Sequence, residues 1–139
     1  MTGSRPKLAP EPTPETQPFW DGCREGLLRL QRCRHCATAY FPPSLYCPRC
    51  LSDDLHWEVA NGRGRLHTYV IAHRAAPGYD TDVPYAIAIV ELDEGPRMMS
   101  NIVGIPNTPH HLVLDMELRV AFESRGDGVK VPVFGPADP

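Results

Sequence analysis

The sequence predicts a mainly β protein, and three observations carry that expectation. Two Cys-x-x-Cys pairs stand ten residues apart between Cys33 and Cys50. Five short strand-like runs follow them, and one longer connector separates the third run from the fourth. That layout is an N-terminal helix, a four-cysteine ribbon and a five-stranded OB-fold barrel. The expected boundaries are a disordered Pro-rich tail over 1–17, the helix over 18–32, the ribbon over 33–58 and the barrel over 59–136.

The tail is rich in Pro, Thr and Glu and cannot bury enough apolar area to offset its ordering entropy. A helix is expected to start near Pro18, because proline is tolerated in a first turn. Phe19, Trp20, Cys23, Leu27 and Leu30 recur near a period of 3.6 and form one apolar stripe. Asp21 lies early and Arg29 and Arg32 late, as the helix dipole favours. The stripe must cover the rest of the domain or another subunit. Cys23 within it reads as a small buried hydrophobe.

"DDLHWEVA" reads as a strand and "NGRG" at Asn61–Gly64 as a turn. The barrel strands follow. "RLHTYVIAHR" places Leu66, Thr68, Val70 and Ala72 on one face and His67, Tyr69, Ile71 and His73 on the other. The loop "AAPGYDTDVP" leads to "YAIAIVEL", and a hairpin turn at Asp93–Pro96 leads to "RMMSNIVGI". The connector "PNTPHHLVLD" is expected to plug one barrel end. "ELRVAFE" points Leu118, Val120 and Phe122 inward, with Glu117, Arg119 and Glu123 outward. "GDG" turns the chain into "VKVPVFG", where Pro132 marks an edge or barrel rim.

Cys33, Cys36, Cys47 and Cys50 form a C-x2-C-x10-C-x2-C array. In a reducing compartment such pairs favour metal over disulfide. Four thiolates suit tetrahedral zinc in a closed structural site; iron in a rubredoxin-type site uses similar ligands and is the lesser alternative. His35 and His56 are not needed as ligands. A closed zinc site has no open position to activate water and no redox chemistry, so the array argues for structure and against catalysis.

Formal net charge is −3, which argues against a dedicated nucleic-acid binder. The stretch Trp20–Arg74 holds eight arginines against five acids, and the rest holds six basic residues against twelve acids. Arginine suits bidentate pairing with phosphate or carboxylate. No apolar run approaches the roughly 18 residues of a membrane span. The N-terminus has no apolar core of a secretory signal, so a cytoplasmic location is expected.

The order of parts, "FWDG", "LQRCRHC", "FPPSLYCPRC", "WEVANGRGRLHTYVIAHR", "VPYAIAIVELDEGPRMMSNIVG" and "VFGP", resembles the domain-of-unknown-function 35 family over residues 18–136. The resemblance implies a helix, a rubredoxin-like zinc ribbon and an OB-fold. It also implies a non-catalytic partner of thiolase-like or enoyl-CoA hydratase-like enzymes in acyl-CoA chemistry, including lipid or steroid breakdown. The small protein would bind the enzyme and help form or bridge its acyl-CoA path.

Candidate ligand or partner residues are Phe19, Trp20, Arg24, Arg63, Arg65, His73, Tyr79 and Tyr85. The first two need a surface to cover, the arginines could meet CoA phosphates, and the loop holding Tyr79 could line an acyl channel. Nucleic-acid binding is the alternative function, since ribbons and OB-folds both serve it, but the barrel half is acidic. An independent enzyme is disfavoured. GxSxG, HExxH and a phosphate-cradling glycine loop are all missing, and His67 and His73 with Asp80 and Asp82 read as half-exposed strand and loop residues.

Overall fold

A short helix begins the regular structure in a computed structural model that describes residues 7 to 137. Helix α1 spans Gln17–Arg24, with Pro18 in its first turn. It ends at Arg24 rather than at the expected Arg32. Gly26 explains the difference: its φ of +80° is left-handed, a conformation glycine adopts without a Cβ clash. The Leu27 amide donates to the Gly22 carbonyl at 2.8 Å and the Gly26 amide to the Cys23 carbonyl at 3.1 Å. This pair of bonds is a Schellman stop. Leu28 and Leu30 therefore lie beyond the helix. They are buried two residues apart as the chain enters a strand.

The ribbon is a three-stranded antiparallel sheet of β1 (Arg29–Cys33), β2 (Ala39–Tyr40) and β3 (Leu55–Val59), in the order β2-β1-β3. The barrel uses β4 (Arg63–Ala72), β5 (Tyr85–Leu92), β6 (Arg97–Ser100), β7 (Glu117–Ser124) and β8 (Lys130–Pro136), in the order β6-β5-β4-β7-β8. All five predicted barrel runs are strands. The sheet curls until the segment after β6 meets β8: Ile102 bridges Phe134 in parallel, and the Val103 amide donates to the Phe134 carbonyl at 2.8 Å. Gly135 permits this closure, since a Cβ there would sit 2.9 Å from the Val103 carbonyl oxygen. The result is the OB-fold barrel that the strand count and the connector predicted.

Strand β4 does not alternate throughout. Leu66 pairs with Val90, but Thr68 pairs with Ile89, so His67 is an extra residue in a β-bulge. Past the bulge the inward set switches parity. Tyr69 and Ile71 pack on the core, and Val70, expected on the face of Leu66, is exposed. Strand β7 keeps its predicted period, with Leu118 buried and Val120 and Phe122 packed on the core. The connector contributes Leu112, which is buried in the same core.

One apolar core joins helix, ribbon base and barrel. Phe19 and Cys23 from α1, Leu28 and Leu30 around β1, and Leu66, Val90, Leu118 and Phe134 from the barrel belong to it. The helix stripe thus covers the chain's own barrel. Of the Pro-rich tail, residues 1–6 lie outside the described residues. Residues 7–16 form an arm that ends in a turn, where the Gln17 amide donates to the Thr13 carbonyl at 2.8 Å. Among the described residues no helix is long and apolar enough to cross a membrane.

Candidate functional site

Two turns bring the four cysteines together. In the first, the Ala37 amide donates to the Cys33 carbonyl at 2.9 Å and the Cys33 amide to the Thr38 carbonyl at 3.0 Å. The second repeats this with Leu51 to Cys47 at 2.9 Å and Cys47 to Ser52 at 2.8 Å. Ala37 and Leu51 both take left-handed φ, 64° and 66°, to close these turns. Such a φ costs a residue with a side chain about 1–2 kcal/mol, so the closed turns must be compensated by what they hold.

All four sulfurs lie within 4.8 Å of one another. Cys33 Sγ and Cys50 Sγ are 3.6 Å apart, as are Cys36 Sγ and Cys47 Sγ. A tetrahedral ion with metal–sulfur bonds of about 2.3 Å puts its sulfurs roughly 3.8 Å apart, so the set fits a four-thiolate ion. Backbone amides already point at sulfur, from Cys36 to Cys33 Sγ at 3.5 Å and from Arg49 to Cys47 Sγ at 3.4 Å. A hydrogen bond with the Thr38 hydroxyl lowers the Cys36 thiol to about 6. The arrangement suits a closed structural metal. Cys23 stands apart in the core, and burial pushes its thiol up to about 12.

The arginines beside the ribbon are largely committed. Arg29 pairs with Glu25 at 2.9 Å, Arg34 with Asp54 at 3.0 Å, and Arg32 with Glu58. Arg32 also donates to the Ala37 carbonyl at 2.6 Å and so braces the first cysteine turn. The buried Gln31 side chain accepts from the Ser44 amide at 2.7 Å, which pins the loop between the pairs.

Phe19 is 2% exposed, with its ring 5.2 Å from that of Phe41, and belongs to the core. Trp20 is half-buried, 4.9 Å from the Phe19 ring, and lines an open groove. Arg24 is exposed and pairs with Asp21 at 3.2 Å. Arg63 and Arg65 are exposed at the start of β4 and make no ion pair among the described residues. His73 is exposed just past the far end of that strand. In the β4–β5 register Tyr85 lies opposite Ala72 and Arg65 lies opposite Glu91. The arginine pair and Tyr85 thus sit at opposite ends of β4, roughly 23 Å apart at 3.3 Å per residue.

Tyr79 and Tyr85 do come together, stacked with ring centroids 4.8 Å apart. They line a cleft of about 410 Å³ with Lys7, Asp82, Asn101 and Glu123. The Lys7 ammonium lies 2.6 Å from Asp82, 3.5 Å from Glu123 and 4.5 Å from the Tyr79 ring centre. Burial pulls its pKa down, but the Asp82 hydrogen bond and the Glu123 charge outweigh that and hold it above the usual lysine value. Lys7, Glu123, Asn101 and Arg125 were not legible as site residues. Lys7 and Glu123 are 116 residues apart, and no local pattern links them.

Ribbon and barrel define a zinc-ribbon/OB-fold protein, and comparison with known proteins places it further. Residues 20–56 match the ChsH2 rubredoxin-like zinc ribbon domain, and residues 57–123 the ChsH2 C-terminal OB-fold domain. A DUF35 domain-containing scaffold protein of Methanocaldococcus jannaschii is 35% identical over 103 residues, 70% of this chain and 72% of that protein. The chain belongs to the DUF35 family.

A probable enoyl-CoA hydratase alpha subunit of Thermomonospora curvata is 35% identical over the whole chain, which spans only 44% of that protein's length. The 3-oxo-4,17-pregnadiene-20-carboxyl-CoA hydratase alpha subunit of Mycobacterium tuberculosis is 31% identical over 83% of the chain and 36% of its own length. Among solved structures, a chain of an Ltp2-ChsH2(DUF35) aldolase superposes with a TM-score of 0.80 at 31% identity. The match covers 92% of this chain and 98% of that one.

Proposed function

We propose that this chain is a non-catalytic, acyl-CoA-associated scaffold subunit that binds a thiolase-like, aldolase or hydratase enzyme and helps form its acyl-CoA site. The observation that carries the reading is the near end-to-end likeness to the DUF35 chain of the Ltp2-ChsH2 aldolase. The names of the hydratase alpha subunits, which the chain matches in part, point the same way. In this reading Cys33, Cys36, Cys47 and Cys50 would hold zinc rather than iron, a choice supported by the preference of closed four-thiolate structural sites for zinc. The ion's role is structural.

The chain's own surface supports a partner. Leu45, Tyr46 and Leu51 near the cysteine turns are 63%, 56% and 75% exposed, apolar area of the kind that contacts other proteins. Arg63 and Arg65 remain free to meet phosphate, whereas Arg24 is engaged by Asp21. Trp20 is the remaining candidate contact, since the cleft of Tyr79 and Tyr85 holds the chain's own Lys7.

The test is copurification with thiolase-like, aldolase and hydratase proteins encoded beside it, followed by acyl-CoA titration of any complex. Association, with turnover present only in the complex, is the expected result. Turnover by the isolated chain, or failure to associate with any of these enzymes or with acyl-CoA, contradicts the reading.

A further inference from the structure

The N-terminal arm is the segment whose contacts the scaffold reading does not use. Its one lysine enters a site made by two distant pieces of chain. Asp82 comes from the 75–84 loop, Glu123 from β7 and the Tyr79 ring from the same loop as Asp82. The site is built rather than incidental. Arg125, whose side chain is only 6% exposed, pairs with Glu123 and donates to the Tyr79 hydroxyl at 3.4 Å. That hydroxyl in turn donates to Asn101 Oδ1 at 3.4 Å, and Asn101 donates to the Ala86 carbonyl of β5 at 2.9 Å. Tyr79 is thus fixed from below by the barrel while its ring faces the ammonium.

The residues after Lys7 border the neighbouring groove, with Leu8 itself 78% exposed. Leu8, Ala9 and Pro10 line the neighbouring groove with Trp20 and Pro132, and Tyr79 and Asn101 line both clefts. The arm therefore runs past two adjoining clefts that share Tyr79 and Asn101. Its other end is anchored by the Thr13–Gln17 turn at the start of α1. A short tether of this kind keeps the lysine at high effective concentration beside the site.

We propose that the cleft formed by Tyr79, Asp82 and Glu123 is a lysine-ammonium site that the chain's own N-terminal arm fills, so that the arm straps the 75–84 loop to the barrel. Apart from the Tyr79 hydroxyl bonds and the Tyr79–Tyr85 stack, the backbone bonds of the loop among the described residues are internal. Its internal bonds are from the Tyr79 amide to the Ala76 carbonyl and from the Asp82 amide to the Tyr79 carbonyl, both at 2.9 Å. Those two amides report directly on whether the strap holds.

The experiment is amide hydrogen exchange on the full chain, comparing wild type with Lys7→Met, Asp82→Asn and the double variant. Lys7→Met keeps an apolar stem and removes the charge. The expected result is roughly tenfold faster exchange at Tyr79 and Asp82, with Ala88 and Val90 of β5 unchanged. The double variant should exchange no faster than the quicker single variant, because both remove one interaction. Wild-type exchange in Lys7→Met, equal acceleration of the β5 amides, or independent effects that multiply in the double variant would each overturn the strap.

Discussion

The ribbon and the barrel solve the same problem by different means. The barrel is held by a continuous apolar core, in which Leu66, Val90, Leu118 and Phe134 are fully buried. The outer ribbon, from Cys33 to Asp54, buries little apart from Cys33, Tyr40 and Cys47. Its order rests on four sulfurs, two repeated turns and the braces from Arg32 and Gln31. So short a segment cannot build a core of its own, and a metal supplies what burial does not. The base of the ribbon belongs to the other regime, since Leu28 and Leu30 are part of the barrel's core. The two regions should therefore fail separately, although they are joined.

The largest effect is expected from Cys47→Ser. Structural zinc sites have apparent binding energies of about 10–16 kcal/mol, and losing a ligand removes much of that. Metal content should fall, and exchange protection should disappear between Cys33 and Ser52 while the β5 amides stay protected. Loss of β5 protection as well would show that the barrel depends on the metal. Phe134→Ala probes the reverse. A fully buried phenylalanine truncated to alanine costs about 3–5 kcal/mol, and the folded fraction that remains should keep its full metal content.

Gly26→Ala comes next, at about 1 kcal/mol in chemical denaturation, because the Schellman stop requires φ near +80°. Its effect should appear in the barrel transition, since the stop aims Leu28 and Leu30 into that core. Arg24→Ala should be the smallest, within about 0.5 kcal/mol, as its guanidinium is exposed and, among the described residues, meets only Asp21. A loss above 2 kcal/mol would mean that the helix end matters more than its contacts indicate.

The barrel was largely legible because strands such as β7 carry their burial in a period of two, and the cysteine array because its ligands are close in sequence. The departures have local physical causes. Leu27 and Leu30 fitted a helical stripe, but Gly26, a stop signal inside that pattern, decides the chain's course. The His67 bulge shifts parity in β4 without any glycine or proline to announce it. Phe19 was expected to cover the rest of the domain or another subunit; the surface it covers is the chain's own core. The lysine site was invisible because Lys7, Asp82 and Glu123 meet only after the barrel has closed.

The separation of the two regions can be read most directly from the five cysteine thiols, counted with an aromatic disulfide reagent on the metal-loaded chain. Cys23 is fully buried, and burial pushes its thiol up to about 12, so it should stay silent until the barrel unfolds. The account predicts almost no reaction at first, four thiols on adding a strong chelator, and the fifth only in denaturant. Four reactive thiols before chelation, or all five released together by the chelator, would contradict it.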